Sequence, residues 1–152
     1  MATWGMATIR PLERRDWDQW LALWQGYLGF YREQLSEATT QSTFERLTGG
    51  DDQMFALIAI DATDGERAVG LVHCLTHPTT WSPRPYCYLE DLFVALSARG
   101  TDVGRQLIEA AKAESEARGA AHLYWHTQEF NGRARSLYDQ VAQLTSFIVY
   151  QM

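Results

Sequence analysis

Apolar and polar positions along this chain fall into two rhythms. After Asp16, the residues Trp17, Trp20, Leu21, Trp24, Tyr27, Leu28 and Tyr31 recur at steps of three and four, which predicts an amphipathic helix with Asp16 at its N-cap. A shorter helix is predicted over Gln41–Leu47, stopped by Gly49 and Gly50. Val103, Leu107 and Ala111, with Ile108 beside them, mark a helix over Val103–Arg118, and a last one covers Asn131–Ala142. Between them lie runs that read as strands: Ala7–Leu12, Met54–Asp61, Ala68–His77, Tyr86–Val94, His122–Thr127 and Ser146–Gln151. The turn DATDGERA joins the second and third of these as a hairpin, and Pro78, Pro83 and Pro85 predict a loop around Trp81. The order is βααβββ, then αβαβ. The helix between Val94 and His122 makes the flanking strands parallel neighbours. The fold class is therefore mixed α/β, and with no repeat or linker the 152 residues form one domain.

Composition narrows the function. A net charge of −6 argues against a nucleic-acid face and favours cationic small partners. No apolar run approaches the ~20 residues of a membrane span, and MATWGMATIRP has no charged leader followed by an apolar core. Cys74 and Cys87 form neither a metal spacing nor a disulfide framework, which fits a reducing cytoplasm. The histidines fall in two pairs four apart, His73 with His77 and His122 with His126. On strands, each pair shares one face. They are read as ordinary surface or core residues, with no metal.

The chemistry concentrates where a strand ending at Val94 runs through RGTDVGR into a helix. Glycines let a ligand approach the backbone, and a helix N-terminus favours an anion such as pyrophosphate. No Gly-Lys-Ser/Thr follows, so this is not a Walker loop, and its spacing is not that of a dinucleotide fingerprint. Glu90 and Asp91, just upstream, are candidates to take a proton. Strict alternation would place Glu90 on one face with Leu92 and Val94, and Asp91 with Phe93 on the other.

The order of elements, YLEDLFV, the RGTDVGRQLIEAAKAE turn and helix, LYWHT and the Asn-x6-Tyr spacing together resemble the GNAT superfamily of acetyl-CoA-dependent N-acetyltransferases. They are most similar to its spermidine/spermine-type small-amine branch. The resemblance implies a central, mostly antiparallel sheet with one parallel, splayed pair. It implies acetyl-CoA as co-substrate, a small primary amine as acceptor and direct attack in a ternary complex. A protein or peptide amine, or a binding module with weakened affinity for coenzyme A, are the alternatives. It places the pyrophosphate on Arg99, Gly100, Thr101, Asp102, Val103 and Gly104, with Arg105 near the phosphates. The pantetheine arm would lie along Leu92, Phe93 and Val94 and touch Asn131. Glu90 would be the base and Tyr138 the acid that protonates the leaving thiolate, in a cytoplasmic enzyme for which a homodimer is typical.

Asp102 departs from the pattern, because the family usually has glycine there. A carboxylate about 6 Å from a phosphate charge repels it by roughly 0.7 kcal/mol in water-like surroundings and about 3 kcal/mol at an effective dielectric near 20. Arg99 and Arg105 offset part of this. As N-cap of the following helix, Asp102 would occupy amides that a pyrophosphate needs. Ser146 before Phe147 is a second departure, in a position where glycine is common.

Overall fold

The structure, a computed structural model, describes residues 7–152, so the reading of the first six residues lies outside it. Five strands form one sheet in the order β1 (Thr8–Pro11), β2 (Met54–Asp61), β3 (Arg67–Thr79), β4 (Ser82–Val94) and β5 (Leu123–Tyr124). All pairs are antiparallel except β4 with β5, which is parallel as the crossover rule requires. Helices α1 (Trp17–Phe30) and α2 (Glu37–Glu45) cover one face; α3 (Val103–Ala117) and α4 (Gly132–Val141) cover the other.

β2 shows why MFALIAID is an unbroken apolar run. Phe55, Leu57 and Ala59 pack under α3, whereas Ala56, Ile58 and Ile60 pack under α1 and α2. A strand covered on both faces has no position to spare for a polar residue. On the α1 side the aromatic stripe forms a stack. Trp20 is fully buried, with Trp24 at 5.9 Å and Phe44 at 5.0 Å between ring centres. On the opposite side α3 lies close against the sheet at Gly70, where an added Cβ would stand 2.9 Å from Leu107 Cδ1 and 3.1 Å from Phe93 O.

Four expectations need correction. Asp16 occupies the N-cap position of α1 but makes no capping bond; its carboxylate instead takes two 2.8 Å bonds from Arg10, which hold it below the usual carboxylate range. α2 begins at Glu37 rather than Gln41, because Ser36 accepts from the Thr39 amide at 3.1 Å and caps it; a wide helical turn, Arg46–Gly50, then ends at Gly49 with φ +117°. The proline segment is not a loop: β3 and β4 run on to Thr79 and Ser82 and close tightly around Thr80–Trp81. Residues 146–151 form no strand and pair with nothing, although they are extended in pattern and rich in apolar side chains.

Two glycines give opposite tests of this packing. Gly70→Ala should destabilise the fold by about 1–3 kcal/mol through overpacking against α3. Gly29→Ala, in α1 with open space at its Cβ, should stabilise it by about 0.5–1 kcal/mol. Urea unfolding of both variants checks the pair, and equal effects would mean that α3 does not bear on Gly70.

Candidate active site

The site is organised by one extra residue in β4. His73 pairs with Asp91 and Cys74 with Leu89, so Glu90 has no partner on β3 and forms a β-bulge. Alternation breaks at that point. Leu89, Leu92 and Val94 pack on the α3 side, while Phe93 packs on the α1 side. Glu90 and Asp91 both line one cavity with Trp24 and His73, so Glu90 does not share a face with Leu92 and Val94. This overturns the strict alternation expected from the sequence.

The cavity, about 480 Å³, lies between the sheet, α1 and the α2 turn, and Arg46 and Asp51 also line it. Asp91 is held by a buried chain. Trp20 Nε1 donates to His73 Nε2 at 3.0 Å, which leaves the ring proton on Nδ1 to donate to Asp91 Oδ2 at 3.0 Å. Burial, followed by the charge of nearby Asp91, pushes the Tyr27 phenol well up. Glu90 lies next to this anion. Desolvation first, then Asp91, raise its carboxyl above the usual range, against smaller opposite effects of His73 and Arg46. Trp24 lines the same cavity, and its buried Nε1–H has no acceptor among the described residues. Among the described residues Arg46 donates only to uncharged atoms, Met54 Sδ at 3.3 Å and Thr43 Oγ1 at 3.4 Å.

On the other side of the bulge, β4 and β5 share only two pairs, Cys87 with Leu123 and Tyr88 with Tyr124. The bulge twists β4 away, so Leu92, Phe93 and Val94 pair with β3 on one edge and have no β5 partner on the other. Tyr138, on α4, packs against the α3-side core. It is half-buried, packs edge-on against Trp125 at 5.4 Å, and burial raises its phenol, so it keeps its proton at neutral pH. Asn131 sits at the N-cap of α4, with no side-chain capping bond.

The glycine turn keeps its helix end open. Gly100 has φ +81°, a left-handed conformation suited to glycine, with nothing within 4 Å of where a Cβ would be. Asp102 is the N-cap residue of α3 yet accepts no capping bond. Its carboxylate turns outward to Arg105 Nε at 3.4 Å, while the Thr101 hydroxyl bonds Ala98 O and lies 3.5 Å from the Val103 amide. The expectation that Asp102 occupies the cradle is therefore corrected. Arg99 folds back, donating to Val94 O at 3.2 Å and lying over the Phe93 ring. Arg105 also bonds Gln140, which ties α3 to α4. Val103 is buried, so only its backbone faces the turn. A Cβ added at Gly104 would meet Leu137 and Val94 at ordinary contact distance. An uncapped helix end with open space at Gly100 fits a diphosphate, and an unpaired strand edge fits an amide-bearing arm.

Sequence reasoning missed His73, Trp20, Trp24 and Arg46 as one constellation. They lie on three elements, and only the packing of α1 and the α2 turn on the bulge brings them together. The paired His73–His77 spacing offered no signal, since His77 turns to Tyr124 at 2.8 Å and to Pro78 O. His122 and His126 contact Tyr86 and Tyr88.

A mixed sheet with a bulged, splayed strand, a carboxylate beside the splay and a glycine turn opening a helix defines an acyl-transfer enzyme. Residues 16–142 match the acetyltransferase (GNAT) family model, and the chain belongs to that family. It is 32% identical over 143 residues to the D-amino-acid N-acetyltransferase HPA3 of Saccharomyces cerevisiae, covering 94% of this chain and 88% of that protein. It is 31% identical over 144 residues to the uncharacterized N-acetyltransferase YhfO of Bacillus subtilis, covering 93% and 94%. Its fold matches the aminoglycoside N-acetyltransferase AAC(6')-Iy in complex with CoA, with a TM-score of 0.83, 18% identity and 100% and 98% coverage. This chain is an acetyltransferase of that family.

Because Asp102 is exposed and turned to Arg105, its charge acts on a ligand at the turn only through solvent. Asp102→Gly should tighten coenzyme A binding by no more than about three-fold, the water-like limit of the repulsion. Calorimetric titration checks this, and a hundred-fold gain would show that the carboxylate obstructs the cradle.

Proposed function

We propose that this acetyltransferase moves an acetyl group from acetyl-CoA to the primary amine of a small molecule that also carries a carboxylate, an amino acid in the simplest case. The observation that carries this reading is the polarity of the cavity. Glu90 and Asp91 lie on its sheet wall, and the unpartnered Trp24 Nε1–H and the Arg46 guanidinium lie on the helix side. An ammonium suits the first pair, and a carboxylate suits the second. The 32% identity to a protein named a D-amino-acid N-acetyltransferase supports the same class. A polyamine is the second reading, favoured by the number of acidic groups, since Asp51 joins Glu90 and Asp91. It leaves Arg46 without a role.

Acetyl-CoA supplies an acetyl group already activated as a thioester. The chain's residues do the rest. The arm would lie along the free edge of Leu92, Phe93 and Val94 and against Asn131, with its diphosphate at the amides of the turn from Arg99 to Gly104 and Arg105 at the rim. Asp91, fixed by His73, draws the ammonium of the acceptor into the cavity. Glu90, whose raised carboxyl makes it a stronger base than an ordinary glutamate, takes one proton from the ammonium, directly or through a water. The freed nitrogen lone pair forms the new C–N bond, the C–S bond breaks, and Tyr138 gives its hydroxyl proton to the leaving sulfur. The nitrogen gives up its second proton to solvent as the C–S bond breaks, the proton on Glu90 also passes to solvent, and solvent returns one proton to Tyr138.

Three variants test the proton path. Glu90→Gln should lower kcat/KM about 10²–10³-fold and Tyr138→Phe about 10²-fold, with coenzyme A binding retained. Removing the neighbouring anion in Asp91→Asn lowers the pKa of Glu90, so the acid limb of the kcat/KM profile should move to lower pH. A limb that stays in place would show that Glu90 is not the group titrating.

Arg46→Gln tests the acceptor. It should raise KM for amino acids about ten-fold or more, with kcat little changed and with no effect on amines that lack a carboxylate. Equal loss on both kinds of acceptor, or turnover of polyamines alone, would overturn the amino-acid reading.

A further inference from the structure

A row of side chains beside the acid pair takes no part in the acyl transfer. Met54 lies opposite Leu75, Leu75 opposite Tyr88, and Tyr88 opposite Tyr124. Residues directly opposite across a ladder share a face, so the four form one row across β2, β3, β4 and β5. Met54 packs against the core under α1 and α2, and with Leu75 it lines the cavity, which fixes the face as that of the acceptor. Leu75, Tyr88 and Tyr124 are only half-buried and pack against neither core of the sheet. Half-open apolar side chains beside a cavity are what a ligand covers.

The polar tips of the two tyrosines are already engaged. Pro78 O can only accept, so a neutral His77 holds its proton on Nδ1, and its Nε2 takes the Tyr124 hydroxyl at 2.8 Å. Tyr88 Oη lies 3.2 Å from His126 Nδ1. Burial pushes both phenols up, and for Tyr88 the charge of Glu90 adds to it, so both keep their protons at neutral pH. The ring faces, 5.1 Å apart between centres, are what is left for a ligand. Leu35, on the segment between α1 and α2, is 45% exposed and lines the same cavity.

We infer that this row, together with Leu35, is the subsite for the acceptor's side chain, and that this side chain is large and apolar, aromatic above all. The inference rests on the reading of the cavity as the site of an amino acid and adds what that reading leaves open, the group on the α-carbon. Leu75 stands two residues from His73 on β3, and Tyr88 two from Glu90 on β4, a step of about 7 Å along a strand. A ring or an isobutyl group reaches across such a step from an amine at the acid pair, and a methyl group does not. No member of the row carries a charge, so a charged side chain would lose its water there without a partner.

The test uses the full chain with acetyl-CoA and two matched series of acceptors. Alanine, leucine and phenylalanine, each in both enantiomers, are compared with the same molecules lacking the carboxylate: ethylamine, 3-methylbutylamine and 2-phenylethylamine. In the preferred enantiomer kcat/KM should rise about ten- to a hundred-fold from alanine to phenylalanine, with a similar rise from ethylamine to 2-phenylethylamine. Leu75→Ser and Leu35→Ser should each reduce the phenylalanine-to-alanine ratio several-fold, and loss of folded protein alone does not move that ratio. No rise with side-chain size, or a ratio that neither serine variant alters, would overturn the subsite. The two readings fail separately. Amino acids no better than their matched amines would overturn the carboxylate, while amino acids preferred without regard to side-chain size would overturn only the row. Turnover of neither series would overturn both.

Discussion

The extra residue at Glu90 in β4 is the constraint on which the rest of the site depends. An antiparallel ladder with no bulge would alternate Glu90 and Asp91 across the sheet, one toward the α1 side and one toward α3. With two residues of β4 set against one step of β3, both carboxylates come to the α1 side. The same shift returns Leu92 and Val94 to the α3 core, and the added twist draws β4 away from β5. A paired acid site and a free strand edge thus have a single cause.

Two adjacent carboxylates in a partly desolvated place repel, and the surrounding chain divides the cost unequally. Asp91 receives a histidine N–H, and the histidine is held in the required tautomer by a tryptophan N–H. For Glu90, desolvation and then the neighbouring charge of Asp91 raise its affinity for a proton. Each member of the Trp20–His73–Asp91 chain has its buried hydrogen-bonding group satisfied, as a low-dielectric interior demands. Trp24 Nε1 breaks that rule, and the departure lies at the cavity. Buried donors left unpaired by the chain itself are expected where a ligand completes the set.

The turn before α3 shows how a residue that departs from a family's pattern can leave the backbone device intact. Gly100 supplies the one left-handed conformation, and the Thr101 hydroxyl takes the local carbonyl. Asp102 then needs no amide and pairs with Arg105 in solvent, where an exposed ion pair contributes little. Charge near the turn is nearly balanced, and the helix N-terminus stays open.

The element order as far as α4, the parallel crossover and the glycine turn were legible in the chain, because each rests on local periodicity or on a turn residue of special conformation. Ser36 as a cap was also legible and was passed over for the later apolar pattern. Other features carry no local signal. The bulge at Glu90 is a mismatch of length between two strands, visible only once β3 and β4 are in register. The gathering of Trp20, Trp24, His73, Arg46 and Asp91 depends on where α1 and the α2 turn land on that bulge. Residues 146–151 show the limit from the other side. Their apolar pattern specifies a strand, but a strand needs an edge to pair with, and that is a property of the tertiary structure and not of the segment.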